Sequence, residues 1–518
     1  MKIKSILTLI VVSVFLIVSC SDDLDIANPN RISVDEFVAN SGQDQAVAIT
    51  DAIYNALIVD GLYQRMTPVH GDARGDEARS RSPWAFLSQT ANFTVPSTDG
   101  AVAWCYEGYY VLINRANQAL ENVPAIEDVD PDLRSRLLGQ AYFLRALAYF
   151  NATNIYDNVP LVLTVPKSQD EFYPSNQDVT QAMIYEQVEA DLTEAIARLP
   201  ISYNSVAGPD AGQVGRATLG AAQALMGKVK LYQEDYAAAA SYFNEVISSG
   251  QYALVDDYGS MFSQDPADEA ANTERIFWAE FSTEEYPDFN WGGDPTINWR
   301  QFSAIAPTYS GADFYDFFPT PFLDQELRAE RTINDELDPR YAATILAYDP
   351  DEGLTQAYGQ DNFFLDPNNL YIAKYTLANY GGDPFFCGIN YSILRLADVL
   401  LMQAEALANT GDIPGAAALM QQVRDRANLP DREAEFAGYN LTQFMEQLAH
   451  ERVTELGLEG VRYYDIKRWG WLNDPVKLEE LKSHDPEFNT FMPGREYQPF
   501  SQTELDRNPN LVGNSANQ

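Results

Sequence analysis

The chain has 518 residues, with 75 Asp and Glu against 34 Lys and Arg, a formal net charge of −41. That length exceeds what one small core needs, so one large elaborated domain or two is expected, and the charge repels phosphate backbones and anionic lipid, which excludes nucleic acid as a partner. Aromatic residues are plentiful (30 Tyr, 26 Phe, 7 Trp), whereas His70, His450 and His484 are the only histidines and lack metal-ligand spacing, and the chain has no phosphate-binding glycine loop or nucleophile elbow.

Lys2 and Lys4 precede an apolar run from Ile6 to Val18, which exits through Ser19 to Cys20. At about 1.5 Å per residue the run reaches only about 20 Å, too short to span a bilayer, so it reads as a secretion signal. It resembles a bacterial lipoprotein signal, in which the cysteine at the cleavage point is acylated and becomes the mature N-terminus; Ile17 stands where Leu is usual. Residues 1–19 are then the signal peptide, and Cys20 carries the lipid that is the sole membrane contact. Residues 20–30 form a flexible tether, opened by Ser21-Asp22-Asp23 and continued by Asn28-Pro29-Asn30. The acidic start resembles a surface-export signal, which implies a lipid anchor in the outer membrane and an outward-facing protein. No later apolar run approaches the roughly 18 residues of a membrane helix. With Cys20 acylated, Cys105 and Cys387 remain, either paired in an oxidising compartment or separate as buried thiols.

Residues 31–518 read as a single domain, mostly helical. Apolar and aromatic residues recur at helical spacing over 102–123, where Pro124 ends the helix; Pro131 opens another over 132–156, and a third covers 179–199. The stretches 221–247 and 396–423 resemble each other. Aligning Ala239 with Ala416 puts Gly227 opposite Ala404, Phe243 opposite Met420 and Val246 opposite Val423. Small residues at a close approach, a tight turn and an apolar partner helix resemble the tetratricopeptide hairpin. Hairpins are expected at about 102–156, 216–249, 392–428 and 440–471, stacked so that each buries its neighbour's face. The fold class is therefore mainly α: a tetratricopeptide-like helical-repeat superhelix with an inserted loop-rich, mixed ligand-binding subdomain. Residues 250–390 are too many for a repeat-to-repeat turn, and 67–100 also reads as non-helical, so these two regions are the expected ligand-bearing loops.

Two segments carry a family resemblance. Residues 392–429 read SILRLADVLLMQAEALANTGDIPGAAALMQQVRDRANL, and residues 451–469 read ERVTELGLEGVRYYDIKRW. They resemble the SusD/RagB family, outer-membrane lipoproteins that capture nutrients for a TonB-dependent transporter. Glu451-Arg452, Glu455-Leu456, Glu459-Gly460, Arg462, Asp465 and Arg468-Trp469 fit the family pattern without a gap. NRANQA at 114–119 and QAYFLRALAY at 140–149 also look like family helices. The resemblance implies tetratricopeptide-like helices, a SusC-like transporter as partner, and an oligosaccharide or polysaccharide ligand, with peptide as the alternative. From the residues alone, Glu451, Glu455 and Glu459 stand one helical turn apart and repel unless matched. Arg452, Arg462 and Arg468, with Asp465, are the expected partners in a structural ion-pair network. A catalytic carboxylate pair is the competing reading.

A saccharide site needs flat rings to stack on sugar faces, with Asp, Asn or Arg bonding the hydroxyls. Trp84 with Asp72, Arg74, Asp76 and Arg81 fits, as do Tyr286, Trp291 and Trp299 in the insert, where Phe314 and Tyr315 also lie. Packing within the loop is the other reading for each Trp, and the alternating acids and arginines of 71–81 also suit a self-paired turn. Trp104, Trp469 and Trp471 fall on helices and are expected in the core. No catalytic residue and no cofactor are expected; a structural Ca²⁺ suits the acidity but has no ligand set that can be placed. A surface glycoside hydrolase working through two carboxylates is the rival class.

Overall fold

The computed structural model describes residues 38–168, 170–283, 302–357, 366–377 and 387–518. Cys20, the tether and the candidates Tyr286, Trp291 and Trp299 lie outside the described residues. The described chain enters through α1 (Gln43–Leu57), a π-helical turn (Asp60–Gln64) and α2 (Met66–Ala73), followed by β1 (Ala78–Ser80) and α3 (Ala85–Ala91). The region 67–100, expected as loop, is thus partly helical. By length and composition, Gln43–Ala73 is apolar enough to cross a membrane, but non-helical backbone at Leu62 breaks it and over half of its apolar window is buried inside the fold.

A continuous helical stack follows. It consists of α4 (Val102–Asn122), α5 (Pro131–Tyr156), α6 (Gln181–Ile196), α7 (Leu219–Tyr232) and α8 (Tyr236–Ser248), and resumes with α9 (Leu396–Asn409), α10 (Ile413–Arg426) and α11 (Leu441–Leu456). Each packs on the one before it, and α8 packs directly on α9, so the chain between them leaves the stack and returns to the same place. Local chemistry sets the helix ends. Asp130 accepts the Asp132 and Leu133 amides at 3.0 Å each, and Pro131 fills the first position, where a missing N–H costs nothing.

The two aligned hairpins match position by position. Asp235 and Asp412 cap the second helix of each, accepting the amides of Ala238 at 3.2 Å and Gly415 at 3.0 Å. Where Phe243 packs, a Cβ on Gly227 would come within 2.6 Å of the ring; the slimmer Met420 tolerates Ala404 at the equivalent place, both fully buried. Volume is conserved across the pair, which is what close packing demands.

The long excursion adds three two-stranded antiparallel ladders to the helical scaffold. They pair β1 with β3 (Phe317–Pro319), β2 (Arg275–Ala279) with β6 (Tyr391–Arg395), and β4 (Ile345–Leu346) with β5 (Tyr371–Ile372). The family-pattern segment closes the structure as α11 and α12 (Arg462–Arg468). Because α11 ends at Leu456 and Leu458 and Gly460 adopt positive φ, Glu459 lies in the following turn rather than one more turn along the helix face. Cys105 and Cys387 are both buried free thiols.

The three glutamates are paired, but not with the arginines nearest in sequence. Glu451 pairs with Arg424 and lies 3.7 Å from Arg340; Glu455 pairs with Arg395 at 2.7 Å and with Arg426; Glu459 pairs with Arg395 at 2.7 Å and Lys374 at 2.9 Å. Arg452 instead pairs with Asp465 at 2.6 Å and Asp398 at 3.0 Å, Arg462 with Asp76 at 2.7 Å, and Arg468 with Asp465 at 2.8 Å and with Glu405. The helix turns Glu451 and Glu455 toward cations brought in by the excursion, β6 and α10, a tertiary arrangement that spacing alone does not encode.

Candidate functional site

One cleft of about 670 Å³ combines aromatic faces with charged edges. Its floor is Trp84 and Trp104, whose ring centroids lie 5.4 Å apart at 45°. Phe314 forms a third side and remains 43% exposed, and Arg65, Asp99 and Asp316 supply the polar groups. The mean apolar character of such a cleft and its few convergent polar groups are what a small-molecule site requires.

Each wall is held by its own element. Residues 80–84 are fixed by the β1–β3 ladder, by the Arg81 amide donating to the Asp316 carbonyl at 2.8 Å, and by the Trp84 amide donating to Ser82 Oγ at 3.1 Å. Trp84 then caps α3 from its N-terminal side. Trp104 sits in the first turn of α4, whose entry is set by the Ala101 amide donating to Asp99 Oδ1 at 2.9 Å. The Pro307–Asp316 turn presents Phe314 through amide-to-carbonyl bonds from Phe314 to Pro307 (3.2 Å) and from Asp316 to Thr308 (2.9 Å).

The charged groups are held too. Arg65 makes a two-pronged pair with Asp60, at 2.8 and 2.6 Å, and its guanidinium lies 5.2 Å from the Trp84 ring centroid. This cation–π contact helps to fix the indole within the cleft. Burial raises the Asp316 carboxyl above its ordinary value, an effect opposed by Ser82, Arg65 and Arg81. Arg65 and Asp316 are themselves buried and held by internal partners, so the arrangement offers flat stacking faces with Asp99 as its half-exposed charged group.

Of the sequence candidates, Trp84 is in the cleft. Arg81 is beside it, exposed, with its guanidinium 4.2 Å from the Tyr315 ring centroid and outside the cleft lining. Asp72, Arg74 and Asp76 are buried and committed to internal partners, so they are corrected from ligand contacts to parts of the framework. Asp72 accepts the Gly460 amide at 2.6 Å and the Tyr309 hydroxyl, and burial pushes its carboxyl up to about 6. Arg74 donates to the Arg495 carbonyl at 3.0 Å over the Phe93 and Tyr463 rings. Asp76 takes a two-pronged bond from Arg462 (2.7 and 3.0 Å) and meets His484 Nδ1 at 2.8 Å; burial would raise its carboxyl, but Arg462 holds it well below the usual range.

Trp104, expected in the core, is half-buried against it and also lines the cleft, because it lies in the first turn of α4 next to the half-exposed Asp99 and the exposed Gly100. The Asp99-Gly100 turn directly before it was the available signal. Trp469 and Trp471 are half-buried and lie against each other at 5.2 Å, beneath Arg468 and Lys477. Among the described residues, Glu330, His450 and Glu451 converge as potential metal donors, but Arg424 and Arg432 already neutralise the two glutamates.

Fold and cleft together define a helical-repeat scaffold that carries an aromatic cleft on its connecting segments. Residues 273–516 match the family described as the SusD family, and residues 25–231 match one described as starch-binding, associating with the outer membrane. The chain belongs to the SusD/RagB family. A SusD-like protein of Formosa agariphila is 26% identical over 545 residues, spanning 100% of this chain and 99% of that protein. Among solved structures, a SusD superfamily protein from Bacteroides vulgatus superposes with a TM-score of 0.78 at 25% identity, covering 92% of this chain and 100% of its own. A laminarin-binding SusD-like protein superposes at 0.71 with 26% identity, covering 92% and 99%.

Proposed function

We propose that this protein captures oligosaccharide or polysaccharide at the cell surface in the Trp84–Trp104–Phe314 cleft, and delivers it to a SusC-like TonB-dependent transporter in the outer membrane. The observation that carries the reading is the convergence of two indoles and an exposed phenyl ring around Arg65, Asp99 and Asp316 in one open cleft. Such rings stack on sugar faces while the half-exposed Asp99 bonds hydroxyls. The laminarin-binding relative and the starch-binding family description support a saccharide ligand. Acylation at Cys20 is the proposed anchor, with the chain facing outward.

The role is binding rather than catalysis. Retention in native gels containing laminarin, soluble starch or mannan tests it, alongside casein peptides as the peptide arm. Slowed migration in a polysaccharide gel, without released sugar after prolonged incubation, is the expected result. Retention by peptide alone, or steady product release, would overturn it. The anchor is tested separately: Cys20→Ala should move the protein from the membrane fraction to the soluble one, and co-purification with the transporter should survive in detergent for the wild type.

A further inference from the structure

Strand β2 carries a second aromatic platform, away from the cleft. The half-buried Trp278 lines two grooves of about 330 and 300 Å³, which share the ridge at residues 213–216 and have no lining residue in common with the Trp84 cleft. Consecutive strand residues point to opposite faces, which separates the rings of Phe277 and Trp278. Phe277 points into the core, edge-on to Phe143 at 4.8 Å, and Trp278 is left at the groove.

The ridge opposite is held rigid. Arg216 donates to Gln213 Oε1 at 2.6 Å and Gln140 Oε1 at 2.9 Å, and pairs with Asp51 at 2.8 Å. The Ala217 amide donates to the Tyr54 hydroxyl at 3.0 Å, and the Tyr203 hydroxyl donates to the Ala217 carbonyl at 3.1 Å. Gly215, at φ +80°, lets the backbone pass close to the indole: a Cβ there would lie 2.9 Å from Glu280 Oε2 and 3.9 Å from the Trp278 ring. Val214, at the ridge, is 73% exposed despite this bracing. A fixed apolar tip beside a flat indole is a preformed surface, and binding to it forfeits little ordering entropy.

We propose that the Trp278 face is a second subsite for a neutral saccharide chain; the ligand class rests on the saccharide reading of the Trp84 cleft. The rim offers amides and hydroxyls from Asn55, Gln213, Asn204 and Thr273, which suit sugar hydroxyls. Glu280 and the net charge oppose an anionic chain, and the Arg216 charge is already matched by Asp51. Two separate sites on one chain raise the hold on a long polymer through effective concentration, while a short oligosaccharide engages one site at a time.

The test uses the full chain and whichever of laminarin, soluble starch and mannan retains it. Hydroxyl-radical footprinting with and without that polymer reads Trp84 and Trp278 directly, without mutation. Retention is compared in parallel for wild type, Trp278→Ala and Glu280→Gln, with melting curves to establish folding. The expected result is protection of both indoles, and about fivefold or greater loss of polymer retention in Trp278→Ala with short-oligosaccharide binding unchanged. Protection of Trp84 with Trp278 fully reactive overturns this inference and leaves the cleft reading standing. Protection of Trp278 alone does the reverse. No retention and no protection by any of the three polymers overturns both.

Discussion

Arg395 and Glu459 form a two-pronged pair inside the core, with Nε at 2.7 Å from Oε2 and Nη2 at 2.8 Å from Oε1. The remaining donors of Arg395 reach Glu274 and Glu455, at 2.7 Å each, and the Glu455 carbonyl at 2.8 Å. All five N–H groups are therefore used. The residues come from β6, from the end of α11 and the turn after it, and from the segment before β2, so one guanidinium ties the long excursion to the helical stack.

Lysine keeps the charge but presents three donors on a single nitrogen and cannot serve both carboxylate forks. Arg395→Lys should lower the unfolding free energy by about 3–5 kcal/mol, since a broken buried pair leaves charge unmatched. The exposed pair of Arg331 with Glu352 is the control, where Arg331→Ala should leave the unfolding midpoint close to that of wild type. Urea unfolding at neutral pH checks both. Equal costs for the two variants would mean that the core network contributes no more than a surface pair.

For the cleft, Trp84→Ala and Trp104→Ala should each weaken retention of the bound polysaccharide by about 1–3 kcal/mol, the range of an aromatic anchor. Arg81→Ala removes a guanidinium that rests on Tyr315 outside the lining, so its retention should match wild type. Affinity electrophoresis over a range of polymer concentrations measures all three. Unchanged retention in both tryptophan variants would place the ligand elsewhere.

Stability should also respond to pH through the acids behind β1. Burial, reinforced by Asp485, pushes the Glu487 carboxyl from its ordinary 4.5 up to about 8. The folded state then binds more protons than the unfolded state between those values, so this group's contribution is present below about 4.5 and is lost as pH rises toward 8. Asp76 works in the opposite sense: its carboxyl is held low, so its contribution is present above the ordinary 3.8 and is lost on acidification. Glu487→Gln should match wild type near pH 4.5 and melt about 1–3 °C higher at pH 8. Melting curves across that range decide it; a variant that melts lower at pH 8 would reverse the assignment.

The helices were legible because their signals are local. Pro131, the Asp130 cap and the recurring apolar positions lie within one segment, and the two hairpins repeat at a fixed offset. The site was less legible because its determinants meet across the chain. Asp72 and Asp76 look like loop acids until Gly460 and Arg462 arrive from nearly 400 residues away. Trp104 and Phe314 become neighbours of Trp84 only when the α4 entry and the Pro307–Asp316 turn close on the same cleft. The glutamates at 451, 455 and 459 announce a need for cations, but which arginines answer is decided by tertiary packing.

The repeated turn offers a last test. In the α9–α10 turn Gly411 has φ +93°, and at the equivalent place between α7 and α8 Glu234 has φ +61°. The hydrogen bonds match: Asp412 to Leu407 and Asp235 to Lys230 at 2.9 Å each, Gly411 to Ala408 at 3.1 Å and Glu234 to Leu231 at 3.0 Å. Both turns thus demand a left-handed residue, and only one has glycine. A side chain there costs about 1–2 kcal/mol, whereas glycine loosens the unfolded chain by about 0.5–1 kcal/mol. The first effect is the larger, and Glu234 is exposed with its side chain making no hydrogen bond or ion pair among the described residues. Glu234→Gly should therefore stabilise the protein by about 0.5–1 kcal/mol, and Gly411→Ala should destabilise it by about 1 kcal/mol. Calorimetric melting of both variants measures the difference. A destabilised Glu234→Gly would show that the acidic side chain contributes more than the backbone strain it imposes.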